Sequence, residues 1–127
     1  MNPNPPSKIM LVEDDPTMRS LLKTLLEIEG FQVELFSEVN EDNIIPVVRE
    51  KSPDVLLLDV HLRNTNGLNV LKRLRQEKET ASLPVLMTSG TDVRDKCMSL
   101  GASGFLLKPY MPDDLINWIR QRSEKTN

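Results

Sequence analysis

The sequence predicts an α/β fold, a parallel sheet with helices on both faces. Three observations predict it. Short apolar runs alternate five times with segments of helical period. The central run, Val55–Leu58, is apolar throughout, as in a strand buried on both faces. Each run ends abruptly in a charged or hydroxyl residue. Such alternation joins parallel strands through right-handed crossovers.

Ile9–Val12 is the first strand. Pro16 to Glu29 then carries Met18, Leu21, Leu22, Leu25 and Leu26, the spacing of one helical face. Asp15 can cap that helix, Pro16 suits its first position and Gly30 ends it. Gln32–Phe36 is the second strand. A second helix of about two turns starts at an Asn43 cap, because Pro46 in a first turn loses no intrahelical hydrogen bond. Val55–Leu58 follows and ends at Asp59. After the loop His61–Gly67 comes a helix with Leu68, Leu71 and Leu74 along it. Pro84 introduces the fourth strand, Val85–Thr88. Thr91 to Gly101 reads as a helix with Val93, Cys97 and Leu100 inward. Phe105–Lys108 is the fifth strand, and Pro112 opens a last helix with Leu115, Ile116 and Ile119.

The 127 residues suffice for one core. The expected division is a flexible N-terminal tail at 1–7, one domain over 8–123 and a C-terminal tail at 124–127. Sixteen basic residues against 19 acidic give a net charge of −3. That balance gives no electrostatic footprint for nucleic acid or an anionic membrane, so neither is expected as a direct partner. A single cysteine, Cys97, rules out an internal disulfide and is consistent with a reducing cytoplasm. The start, MNPNPPSK, has no apolar signal region, and no apolar run reaches the roughly 20 residues that span a bilayer. The expected location is cytoplasmic.

Ligands of open parallel sheets sit beyond the carboxyl ends of the strands. Here those ends carry Glu13-Asp14, Asp59, Thr88-Ser89-Gly90 and Lys108-Pro109. If the first and third strands are neighbours, three carboxylates converge. Carboxylates that close bind either a proton or a hard cation, and Mg²⁺ suits so small a set. A metal, a lysine and a hydroxyl around one carboxylate form a kit for phosphoryl transfer, with the Asp as nucleophile. Asp15 is better read as the helix cap.

With LVEDD, LLLDV, PVLMTSG and GASGFLLKP on successive strand ends, the chain resembles the receiver domain of bacterial two-component response regulators over roughly residues 8–122. The resemblance implies a flavodoxin-like (βα)5 three-layer sandwich with strand order 2-1-3-4-5, as in the chemotaxis members of this fold. It implies that Asp59 is the phosphoacceptor, that Asp14 binds Mg²⁺ directly and Glu13 through water, and that His61 offers the metal its backbone carbonyl. Lys108 would pair with the phosphoryl oxygens, and Lys108-Pro109 is similar to the family's cis peptide. The switch hydroxyl would be Ser89, five residues past Pro84, with Thr88 as the competing choice. The switch aromatic would be Phe105, expected to turn inward on phosphorylation. The phosphoryl donor would be a histidine kinase or a histidine phosphotransfer protein. A homodimer or an output partner would use the face of the fourth helix, fifth strand and fifth helix, around Trp118.

Three positions depart from the family pattern. Arg63 stands where a proline is common, Pro46 shortens the second helix, and Ser89 to Gly101 is about one helical turn short. The bland readings are an exposed loop residue for His61, a small core residue for Cys97, partial packing for Trp118 and a solvated face for Lys72, Arg73 and Arg75. A flavin-binding reading fails because three acids would repel the phosphate after the first strand. A phosphatase reading lacks the second acid, since His61 holds its position. The protein is therefore read as a signalling receiver, not an enzyme. The alternative is a receiver-like protein-binding module that works without phosphorylation. No output domain is read up to Asn127, which leaves a stand-alone receiver or a domain of a longer protein.

Overall fold

Five parallel strands, β1 (Lys8–Val12), β2 (Gln32–Phe36), β3 (Val55–Asp59), β4 (Val85–Ser89) and β5 (Gly104–Leu107), pair in the order β2-β1-β3-β4-β5. Between them run α1 (Pro16–Ile28), α2 (Ile44–Lys51), α3 (Gly67–Gln76) and α4 (Arg94–Ser99), and α5 (Pro112–Ser123) follows β5. This is the expected flavodoxin-like (βα)5 sandwich. The computed structural model describes residues 7–123. The expected tails lie outside those residues, apart from Ser7, whose carbonyl accepts from the Gln32 N–H at 2.9 Å.

Successive strand residues face opposite sides of the sheet, so the apolar runs build two cores. Met10, Leu56, Leu58, Val85, Met87 and Phe105 lie against Ile44 and Val48 of α2, Leu71 and Leu74 of α3 and Cys97 of α4. On the other face Ile9, Leu11, Leu57 and Leu86 meet Leu22 and Leu26 of α1 and Leu115, Ile116 and Ile119 of α5. The central strand β3 is covered on both sides, hence its unbroken apolar sequence. Truncating one of its leucines to alanine is expected to cost about 2–5 kcal/mol.

The helix ends show which local signals won. The Asp15 side chain accepts from the Thr17 N–H at 3.0 Å, as expected of the α1 cap. Asn43 does not cap α2 with its side chain. Its Oδ1 accepts from the Asn40 N–H at 2.9 Å instead, so the preceding loop has taken the acceptor. Asn66 caps α3 by accepting from the Leu68 N–H at 2.8 Å. The fourth helix is shorter than the Thr91–Gly101 span, because Thr91 and Asp92 are used in the loop. The Thr91 N–H donates to Ser89 Oγ, and Asp92 Oδ1 accepts from the Arg94 N–H. The fifth strand begins one residue early and stops at Leu107, which leaves Lys108 beyond the sheet.

Two glycines are required by close approach. A Cβ on Gly67 would lie 2.2 Å from the Asp59 carbonyl oxygen, so α3 can start directly against the end of β3 only without one. A Cβ on Gly104 would lie 2.4 Å from Trp118 Nε1, which sets how closely α5 covers β5.

Candidate functional site

Parallel pairing brings every strand's carboxyl end to one edge. Val12 pairs with Leu58, Asp59 with Thr88, and Ser89 with Leu107. Glu13 and Asp14 therefore leave β1 beside Asp59, the last residue of β3. Lys108 leaves β5 two strands away and reaches back across β4.

Lys108 Nζ donates to Glu13 Oε1 and to Asp59 Oδ2, both at 3.0 Å. Both carboxylates are nearly inaccessible, with Glu13 4% and Asp59 7% exposed. Burial pulls the Lys108 pKa down, but the hydrogen bonds to Asp59 and Glu13 outweigh it and hold the ammonium above the ordinary lysine value. The remaining acceptors take backbone donors. Asp59 Oδ1 accepts from the His61 N–H at 3.3 Å, and Glu13 Oε2 from the Asp15 N–H at 3.2 Å.

The expected convergence of three carboxylates becomes two plus one. Glu13 and Asp59 share the ammonium, while Asp14 Oδ2 accepts from the Arg63 N–H. Among the described residues no three acidic, histidine or cysteine side chains are grouped to hold a metal ion. The physical reason is that like charges separate onto the nearest donors. Asp14 Oδ1 keeps no partner although it is buried, and a buried anionic oxygen without one is suited to a cation. His61 is exposed, and its backbone N–H donates to Asp59.

Ser89 and Thr88 are both buried. Neither hydroxyl donates to Asp59; Ser89 Oγ accepts from the Thr91 N–H at 3.0 Å. By the pleat, Thr88 shares the Asp59 side of the sheet, whereas Ser89 shares the Phe105 side and stands last on β4. Phe105 is already inward, 4% exposed, so an inward turn has no room to occur from this state. What holds it there escaped the sequence reading. The Arg94 guanidinium lies over its ring, and Arg94 Nη2 donates to the Phe105 carbonyl. Tyr110 was also missed. Its phenol is pushed up to about 12, mainly by burial; the Lys108 charge opposes this, while Glu13 and Asp59 add to it. Its place right after Lys108-Pro109, a cis peptide here, was the available signal.

Residues 9–120 match the response regulator receiver domain family. The chain is 40% identical over 117 residues to the transcriptional regulatory protein CpxR of Klebsiella pneumoniae, covering 90% of this chain and 48% of that protein. It is 34% identical over 116 residues to the phosphate regulon regulator PhoB of Rhizobium meliloti, covering 89% and 50%. The chain thus spans about half the length of the curated relatives it matches. The BeF3-activated N-terminal receiver domain of Klebsiella pneumoniae RstA superposes with a TM-score of 0.82 at 25% identity, covering 94% of this chain and 100% of that one. The receiver domain of the sensor histidine kinase PA1611 from Pseudomonas aeruginosa, solved with magnesium in its active-site cleft, has the same fold. Its TM-score is 0.81 at 20% identity, over 92% of this chain and 97% of that one. Motifs, fold and relatives agree that the chain belongs to the response regulator receiver domain family, the two-component signalling module that is phosphorylated on an aspartate.

Proposed function

We propose that Asp59 is the phosphoacceptor and that residues 8–123 form the complete receiver unit. One observation carries the reading: Lys108 Nζ bridges Asp59 Oδ2 and Glu13 Oε1 at 3.0 Å, at the carboxyl edge of the sheet. An Asp59 carboxylate oxygen attacks phosphorus, the bond from phosphorus to the donor's leaving group breaks, and an acyl phosphate forms. Lys108 already stands where the new anionic oxygens would arrive. The donor is a histidine kinase or a histidine phosphotransfer protein. The chain assists only its own phosphorylation and dephosphorylation, and it acts in the cytoplasm. Among the described residues no helix is long and apolar enough to cross a membrane.

Mg²⁺ would be held by Asp14, Asp59 and the His61 carbonyl, with Glu13 acting through water. The unpartnered Asp14 Oδ1 supports that assignment. When bound, the ion neutralises charge on the phosphoryl oxygens. Ser89 is the switch hydroxyl, because it stands at the edge of the site and its neighbour Thr91 leads into α4. Phe105 responds through its packing against α4. The output surface is the α4-β5-α5 face around Trp118, where Met98, Leu107 and Met111 expose apolar side chains. A second copy of the chain, or an output partner, would dock there.

Intact mass after treatment with acetyl phosphate and Mg²⁺ tests the chemistry. One phosphoryl adduct is expected, absent in Asp59→Asn and after EDTA. An unchanged adduct in that variant would sink the assignment, and no adduct in any form would favour the phosphorylation-independent module. Amide exchange with a phosphoryl mimic tests the surface. Protection centred on α1 instead would refute this output face.

A further inference from the structure

Two buried side-chain polar atoms among the described residues have no hydrogen-bond partner, Asp14 Oδ1 and the Tyr110 hydroxyl. The second tips a ring packed against the core of α1 and α5. The first sits in the acidic site, on a carboxylate that is held from its other oxygen. Asp14 Oδ2 accepts from the main-chain N–H of Arg63, 49 residues along the chain. Position 63 is where the sequence departs from the family's proline. A proline there would have no N–H to give.

Arg63 belongs to the loop between β3 and α3, and that loop is tied down on several sides. His61 bridges to Asn66, and the Gly67 N–H donates to the Val60 carbonyl at 2.7 Å. Thr65 Oγ1 donates to Glu41 Oε1 at 2.9 Å. Two N–H groups of this fixed loop reach the acidic site. That of His61 donates to Asp59 Oδ1 at 3.3 Å, and that of Arg63 to Asp14 Oδ2. One loop therefore clasps two of the carboxylates assigned to the metal, each by a single oxygen. A main-chain donor is set by the loop and has no rotamer to lose. It offsets part of the repulsion between the two carboxylates without placing a competing cation beside Asp14. A carboxylate anchored at Oδ2 also loses its freedom to turn, so Oδ1 is aimed.

We propose that Arg63 is a positioning residue whose main-chain N–H fixes Asp14 by Oδ2, so that Oδ1 is the oxygen offered to Mg²⁺. The proposal rests on the Mg²⁺ assignment made above. The Arg63 side chain is exposed and plays no part in it. Donors that orient a metal-binding carboxylate typically matter about tenfold or more in affinity.

The test is calorimetric titration of the full, unphosphorylated chain with Mg²⁺ alone. Arg63→Pro removes the N–H and Arg63→Ala keeps it, while both remove the guanidinium. Arg63→Ala should bind Mg²⁺ at least as tightly as the wild type, because it also removes a nearby positive charge. Arg63→Pro should bind about tenfold more weakly than Arg63→Ala. Equal affinities of the two variants would overturn the proposal. Amide exchange on the wild type is a second arm, independent of whether Arg63→Pro folds. The Arg63 N–H should be protected without Mg²⁺ and stay protected at saturating Mg²⁺. Faster exchange of that proton with Mg²⁺ bound would mean that the cation takes Oδ2, and would overturn the proposal as well. A wild type that binds no Mg²⁺ would overturn the metal assignment itself, a failure the first titration reads before any variant is compared.

Discussion

The Arg94 guanidinium carbon stands 5.5 Å from the centre of the Phe105 ring, and Arg94 Nη2 donates to the Phe105 carbonyl at 3.2 Å. One side chain thereby ties the first turn of α4 to β5. A helix of six residues has few hydrogen bonds of its own and depends on such ties. Arg94→Ala is expected to cost about 1 kcal/mol. Amide exchange should accelerate in α4 and β5 and stay unchanged in α1. A uniform acceleration over the whole fold would contradict the local tie.

The orphaned oxygen of Asp14 sets a second expectation. Asp14→Asn keeps an acceptor for the Arg63 N–H and removes a buried charge. The variant without metal should be more stable by about 1 kcal/mol. Mg²⁺ should raise the wild-type Tm and leave the variant's nearly unchanged. Thermal melts at matched ionic strength, with and without Mg²⁺, measure both. A wild type indifferent to Mg²⁺ would refute the metal assignment.

Removing the shared ammonium should be the most damaging change at the site. Lys108→Met leaves two buried carboxylates facing each other, at a cost of about 3 kcal/mol. Adding Glu13→Gln removes one of those charges and should recover part of the loss. Denaturant melts of the two single variants and the double variant give the coupling. Additive losses would mean that the two residues act independently.

Alkaline pH should weaken the fold through Tyr110 and Lys108 together. The folded phenol keeps its proton up to about 12, against an ordinary value of 10.0. Between those values the unfolded chain loses the proton and the folded chain does not, so stability falls as pH rises. The Lys108 shift has the same sign: its contribution is complete below the ordinary lysine value and is lost as pH rises through the higher folded value. The Tyr110 part alone is on the order of 2 kcal/mol. Tyrosinate absorbance gives the phenol midpoint, and stability in Tyr110→Phe should decline less steeply. A phenol midpoint near the ordinary value would contradict the burial.

Gly104→Ala should disturb the β5–α5 contact. The new methyl would meet Trp118 Nε1 at 2.4 Å and Cε2 at 2.7 Å, so the indole must shift and α5 with it where the ring has no room. A loss of about 2 kcal/mol is expected. The near-ultraviolet signal of the only tryptophan should change with it, while phosphorylation of Asp59 continues. An unchanged signal would mean that the indole has room to yield.

Much of the molecule was legible because its signals are local. The helical spacing of Leu22 and Leu26, the Asp15 cap and the unbroken Val55–Leu58 run depend on neighbours within a few residues. That Glu13, Asp14, Asp59, Ser89 and Lys108 gather at one edge was legible because strand ends of a parallel sheet share it, whatever the details of packing. Asn43 misled because two nearby donors competed for one side chain, and a pattern does not rank them. What the tertiary structure alone decided was which partner each polar atom takes. Lys108 lies 95 residues from Glu13 and 49 from Asp59, yet its ammonium joins them and leaves Asp14 to a loop N–H. Arg94 over Phe105 and the idle hydroxyl of Tyr110 are of the same kind. Such choices follow from distance and desolvation inside the folded core, where an ammonium goes to the nearest buried carboxylates and an unpaired hydroxyl cannot reach water.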